Sequence, residues 1–229
     1  MVETSPTPRS CIGFVGSWVI NVALREGYKV RTTVRSTSKG EYLDKLFAAR
    51  YGPGKFEYVI VADLEHEGAF DEAVKDVSAV LHTGSPFYVH IDGDPDSLIK
   101  PAVNGTRNVL GSVLKHGSAV KRVVITSSNA AINNSNSGPK KNTVEDWNTY
   151  SPAAVAKDPK NVPGIHAYCA SKTLAERAAW DFVAEHKPSW DLATVNPVMV
   201  YGPHHSSGGW CGPRKPQHKQ QGVLQLFAG

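Results

Sequence analysis

Residues 10–19 read SCIGFVGSWV, and the fold turns on how that stretch is taken. Gly13 and Gly16 stand three apart at the mouth of an apolar, helix-like run. That spacing is the back half of a dinucleotide cradle, where glycines let the backbone approach a pyrophosphate and a helix N-terminus faces negative charge. A complete cradle has a glycine where Ser10 stands and a buried strand before it. Here residues 1–9 read MVETSPTPR, a polar string with Pro6 and Pro8 that makes a poor central strand. The fragment therefore needs support from the rest of the chain.

That support comes from alternation. Strand-like runs lie at 29–34 (KVRTTV), 56–62 (FEYVIVA), 78–83 (SAVLHT), 121–127 (KRVVITS) and 191–200 (DLATVNPVMV). Between them, helical spacing covers about 16–26, 41–50, 67–76, 96–116 and 168–186. Strands alternating with helices predict an α/β fold with a parallel, doubly wound sheet, and the β-branched content suits buried strands. Residues 133–166 form a polar, proline-bearing connection longer than usual, a length often associated with functional covers. Residues 204–229 show neither period and are expected to be an irregular C-terminal tail, with a disordered N-terminal tail at 1–10.

Composition narrows the function classes. With 41% hydrophobic and 20% charged residues in 229, the chain is ordinary globular protein. Its 25 basic residues are scattered among 21 acids, a solvated surface with no nucleic-acid face. Three widely spaced cysteines, Cys11, Cys169 and Cys211, lack zinc or disulfide spacing and fit a reducing, cytoplasmic compartment. The apolar run after Arg9 is too short to span a bilayer and contains Asn21, so no membrane partner is expected. His204 and His205 have no second ligand cluster, so no metal is expected. His82 lies inside a strand pattern, as a structural histidine does.

The chemistry-bearing group is Tyr168-Cys-Ala-Ser-Lys172, with Ser127-Ser128 at a strand end forty residues earlier. Positions i and i+4 share a helix face, so a phenol and an ammonium can look into one site. A phenol titrating near 10 needs a nearby cation to serve as acid or base at neutral pH, and Lys172 supplies one. On its own the spacing also fits an ordinary surface pair.

VVITSSNAA, HAYCASKTLAERAAW and ATVNPVMVYGP, in that order, resemble the extended short-chain dehydrogenase/reductase family within the NAD-dependent epimerase/dehydratase superfamily. More narrowly they are similar to fungal aldehyde and methylglyoxal reductases and plant dihydroflavonol and cinnamoyl-CoA reductases. VRTTVRSTSK, VADL, VLHTGSPF and PAVNGTRNVL extend the resemblance over about 11–203, which is expected to be the NAD(P)-binding Rossmann-like domain. The resemblance implies a catalytic triad of Ser128, Tyr168 and Lys172 acting on a small-molecule carbonyl substrate. It also makes Gly13, Phe14, Val15 and Gly16 the cradle, with Ser10 replacing its first glycine. It further implies a sheet lacking its first strand and most of the substrate domain.

Cofactor choice follows from VRSTSK. In such a fold the second strand's end meets the adenosine ribose, where an acid favours NAD and an arginine admits a 2′-phosphate. Arg35 stands there with Lys39 four residues on and no acid between them, which predicts NADPH. By resemblance Asp63 and Leu64 contact the adenine side, Thr83 and Gly84 the pyrophosphate–ribose path, and Pro197 and Val198 the nicotinamide, with Tyr168 and Lys172 on its ribose. The family usually has alanine in place of Gly84. The expected activity is NADPH-dependent reduction of an aldehyde or ketone by a monomer or weak homo-oligomer. The alternatives are a nucleotide-sugar epimerase or dehydratase, a hydroxysteroid dehydrogenase, or a non-catalytic nucleotide-binding fragment.

Overall fold

A computed structural model describes residues 14–86, 91–134, 138 and 141–202, and the backbone of 223–227. In chain order the elements are α1 (Phe14–Arg25), β1 (Lys29–Val34), α2 (Thr37–Tyr51), β2 (Phe56–Ile60), β3 (Ala79–His82), α3 (Asp96–His116), β4 (Arg122–Thr126), α4 (Asn129–Ile132), α5 (Tyr150–Lys157), α6 (Gly164–His186), β5 (Asp191–Val195) and β6 (Val223–Phe227). The strands form one sheet in the order β2-β1-β6-β3-β4-β5, and every pairing is parallel.

This is the doubly wound order with β6 in the slot that the first strand takes elsewhere. Val223 to Leu226 pair with Lys29 to Thr32 on one side, and Leu224 to Phe227 pair with Ala79 to His82 on the other. The expected irregular tail over 204–229 is thus corrected at Val223–Phe227. Without a strand there, β1 and β3 would each present a row of unpaired backbone N–H and C=O groups inside the sheet, which is costly. A short apolar segment offering its own backbone satisfies both rows at once. The expected N-terminal tail at 1–10 lies outside the described residues.

Helices cover the sheet from both faces, as a parallel sheet requires. On one face α1 and α2 bring Ile20, Ala23, Leu24, Leu43 and Phe47 against Val30, Val34 and Phe56. On the other, Val109, Leu110 and Val113 of α3 and Ala179 of α6 meet Val80, Val123 and Ile125. Alanines at 167, 170, 175, 178 and 179 give α6 a thin buried side, and α6 lies against α3. Gly40 is required by a close approach, since a Cβ there would collide with the Tyr58 ring.

Two expectations about helices are corrected. Residues 67–76 form successive turns, with Gly68 at φ 79° and Asp76 at φ 59°. The positive φ at these two residues departs from helical backbone, and the carbonyls of Ala73 and Lys75 at the segment's end accept hydrogen bonds from the Arg31 guanidinium at 3.3 and 2.5 Å. The long connection over 133–166 also contains α5, and α6 begins at Gly164, four residues before Tyr168.

Candidate active site

Because all strands are parallel, their carboxyl ends share one edge, and the helices that precede or follow them begin there. Ser128, Tyr168, Arg35, Thr83 and Pro197 therefore converge on one side of the sheet although 162 residues separate the first from the last in sequence (35 to 197). At about 4.8 Å per strand, the distance from β1 to β5 across four gaps is about 19 Å, a groove for an elongated ligand.

Ser128 sits where β4 ends. It caps α4, its Oγ accepting from the Ala130 N–H at 3.1 Å. The Ser127 N–H donates to Val195 O at 2.8 Å and the Asn129 N–H to Pro197 O at 2.9 Å, which stitches this turn to the exit of β5. Tyr168 and Lys172 share one face of α6, one turn apart. Tyr168 is half-buried against Ile91, Leu98, Val162 and Ala167, and its phenol is hydrogen-bonded with Ser128. The Lys172 ammonium lies 5.7 Å from the centre of the Tyr168 ring, with only 9% of the residue exposed.

Burial governs the titration of this group. Loss of solvent pushes the Tyr168 phenol above its ordinary value, and its hydrogen bond with Ser128 pulls it partly back. Desolvation is the largest influence on the phenol. Desolvation also lowers Lys172 to about 8. His82, buried at the end of β3, is lowered to about 4 by desolvation first and by the Lys172 charge second. A neutral imidazole is thus the neighbour of a charged lysine at pH 7, and His82 is placed as the strand pattern suggested.

The remaining expected residues line the same edge. Phe14, Val15 and the buried Gly16 open α1, while Gly13 lies outside the described residues. Arg35 is exposed directly after β1, and Lys39, half-buried, holds its ammonium 5.4 Å from the centre of the Tyr42 ring. Asp63 caps its own turn by accepting the Glu65 N–H at 2.8 Å, and Leu64 O accepts from Asn108 Nδ2 at 2.9 Å. Thr83 and Gly84 follow β3 directly. Pro197 is half-buried, whereas Val198 is 72% exposed and packs against little. Two cations with no carboxylate between them at the β1 end, and hydroxyl and ammonium groups at the β4–β5 end, fit a phosphorylated nicotinamide dinucleotide.

Two residues of the site carried no sequence expectation. Glu176, 5% exposed on α6, accepts from Ser127 Oγ at 2.5 Å and from Asn196 Nδ2 at 2.8 Å. Asn196 Nδ2 also donates to Ser128 O at 3.1 Å. The available signal was spacing: Glu176 follows Lys172 by one helical turn and Tyr168 by two, an acid on the buried stripe of α6. An apolar cavity of about 710 Å³ runs beside α1, lined by Phe14, Trp18, Val22, Leu81 and Tyr201 among others, and includes none of Ser128, Tyr168 and Lys172. Among the described residues no group of three or more His, Cys, Asp or Glu side chains is placed to hold a metal. No helix among them is long and apolar enough to cross a membrane.

Known proteins share both sequence and fold with this chain. An uncharacterized oxidoreductase of Schizosaccharomyces pombe is 44% identical over 200 residues, covering 83% of this chain and 56% of that protein. The NADPH-dependent methylglyoxal reductase of Saccharomyces cerevisiae is 38% identical over 201 residues, with the same two coverages of 83% and 56%. The crystal structure of Gre2 from Candida albicans with NADPH superposes with a TM-score of 0.75 at 36% identity, covering 84% of this chain and 56% of that one. The chain thus spans little more than half the length of these relatives. The sequence profile of the NAD dependent epimerase/dehydratase family matches residues 12–219, and the chain belongs to that family.

Proposed function

We propose that the chain carries the cofactor-binding and catalytic half of an NADPH-dependent carbonyl reductase that converts an aldehyde or ketone to an alcohol. The observation that carries this reading is the meeting of Ser128, Tyr168 and Lys172 at the carboxyl edge of the sheet, with Arg35 and Lys39 at the far end of the same edge. Relatives named as NADPH-dependent methylglyoxal reductase and aldehyde reductase support it.

Arg35 and Lys39 would hold the 2′-phosphate, the start of α1 the pyrophosphate, and Pro197, Val198, Tyr168 and Lys172 the nicotinamide riboside. When bound, the nicotinamide supplies the hydride. The Ser128 hydroxyl holds the carbonyl oxygen and polarises it. Tyr168, whose raised pKa keeps its proton in place at neutral pH, donates that proton to the developing alkoxide. Lys172, charged at pH 7 with a pKa of about 8, stabilises the phenolate left behind. The cytoplasm suits a reductase of this kind with a free buried Cys169, acting as a monomer or weak homo-oligomer without nucleic acid.

The test is consumption of NADPH and of NADH with a panel of small aldehydes and ketones, with nucleotide sugars in parallel. Carbonyl-dependent oxidation of NADPH in preference to NADH is expected. Turnover of a nucleotide sugar with no reduction of any carbonyl would overturn the reading.

A further inference from the structure

The reductase reading assigns the reacting groups but leaves unexplained how three separate segments keep their register: α6 with Tyr168 and Lys172, the β4 turn with Ser128, and the β5 exit with Pro197. The Glu176 carboxylate touches two of these segments from the third. It lies on the same stripe of α6 as Tyr168 and Lys172, is 5% exposed, and takes the Ser127 hydroxyl at 2.5 Å and the Asn196 amide at 2.8 Å, both on Oε2. Asn196 passes the link on to Ser128 O at 3.1 Å. Backbone bonds from Ser127 to Val195 and from Asn129 to Pro197 complete a closed loop of contacts around Ser128.

We propose that Glu176 is a positioning residue, a buried tie that fixes the Ser128 turn and the Asn196–Val198 exit against the helix bearing Tyr168 and Lys172. This rests on the reductase reading for its catalytic consequence, but not for its structural one. A carboxyl group is suited to the task because one oxygen can accept two donors at once. Removing the acceptor leaves a buried hydroxyl and a half-buried amide proton without that partner, which loosens both segments where the carbonyl and the nicotinamide would meet. A misplacement of about 1 Å at such a place costs turnover heavily.

The experiment combines amide hydrogen exchange with kinetics on the full chain, its Glu176→Ala and Glu176→Gln variants, and Ser127→Ala. In Glu176→Ala, protection of the Ser127 and Asn129 amides is expected to fall by at least about tenfold. The Val61 amide, which donates to Val34 O in the distant β1–β2 half, keeps its protection. Glu176→Gln, whose amide oxygen accepts the same two donors, restores protection to within about threefold. Ser127→Ala removes one donor without touching α6 and gives a partial, equally local loss, so the test stands if Glu176→Ala does not fold. In parallel, kcat for aldehyde reduction falls at least about tenfold in Glu176→Ala, while KM and the NADPH Kd stay within about threefold. Unchanged protection at Ser127 and Asn129, or equal loss at Val61, would overturn the proposal. An unaltered chain that reduces no carbonyl would instead remove the reductase reading, and the exchange data would still decide the role of Glu176.

Discussion

Replacing Lys172 with methionine should stabilise the fold at neutral pH while abolishing reduction. Lys172 is 9% exposed and its pKa falls from 10.5 to about 8 through desolvation alone. Holding a proton less tightly in the fold than in the unfolded chain means that the charged form opposes folding. The cost is about 3 kcal/mol, at about 1.4 kcal/mol for each factor of ten in proton affinity. It is fully present below pH 8, where lysine is protonated in both states. It shrinks as pH rises from about 8 to 10.5, where the unfolded state binds more protons, and stability therefore rises across that window. Methionine keeps the unbranched apolar stem and deletes the charge, so Lys172→Met should be more stable than the unaltered chain by up to about 3 kcal/mol at pH 7. The difference should close towards pH 10.5. Urea unfolding followed by tryptophan fluorescence, with Trp190 buried in the core, measures both quantities from pH 6 upward. The reasoning fails if Lys172→Met is the less stable protein at pH 7, or if the gap does not change with pH.

The same substitution should raise the His82 pKa above about 4 but leave it below 6.5, because burial outweighs the Lys172 charge as the cause; imidazole proton NMR reads this directly. His82 is held neutral in the fold, so stability should decline as pH falls from 6.5 towards about 4, and His82→Gln should flatten that decline in acid unfolding curves. Arg35→Ala should weaken NADPH binding by roughly tenfold to a hundredfold and NADH binding by less than about twofold, measured by fluorescence titration. Leu224→Pro removes a backbone donor from the centre of the sheet and should cost about 2 kcal/mol or more, with faster exchange in β1 and β3; an unchanged Tm would contradict the pairing of β6.

Much of the sheet was legible because its strands are short β-branched runs closed by turn residues. KVRTTV forms β1 at 29–34 as expected, and the other expected runs end before their expected last residue. The run at 191–200 stops at Val195, since Pro197 cannot extend a strand in the ladder and Asn196 turns its amide to Glu176 and Ser128. What the chain order could not convey was long-range pairing. VLQLF at 223–227 is five residues set among glycines and glutamines, and nothing local says that it enters between β1 and β3. Turns take the place of the expected helix at 67–76, where Gly68 and Asp76 adopt positive φ, and the closing carbonyls are tied to Arg31, some forty residues earlier. At the site, the motifs located Ser128, Tyr168 and Lys172, and the fold brings them together. Their electrostatics were less accessible: the desolvation that raises the Tyr168 phenol comes with packing by Ile91, Leu98 and Val162, which no spacing rule reveals.

The proposed reduction delivers a hydride to a carbonyl carbon and a proton from Tyr168 to its oxygen. The most direct test is to incubate the chain with NADPH deuterated at nicotinamide C4 and an aldehyde, and to analyse the alcohol by mass spectrometry. Using both C4 epimers of the labelled cofactor, the account predicts an alcohol carrying one deuterium on the former carbonyl carbon from one epimer only, and no alcohol from Tyr168→Phe. Alcohol without deuterium from either epimer, or the same labelled alcohol at the same rate from Tyr168→Phe, would contradict it.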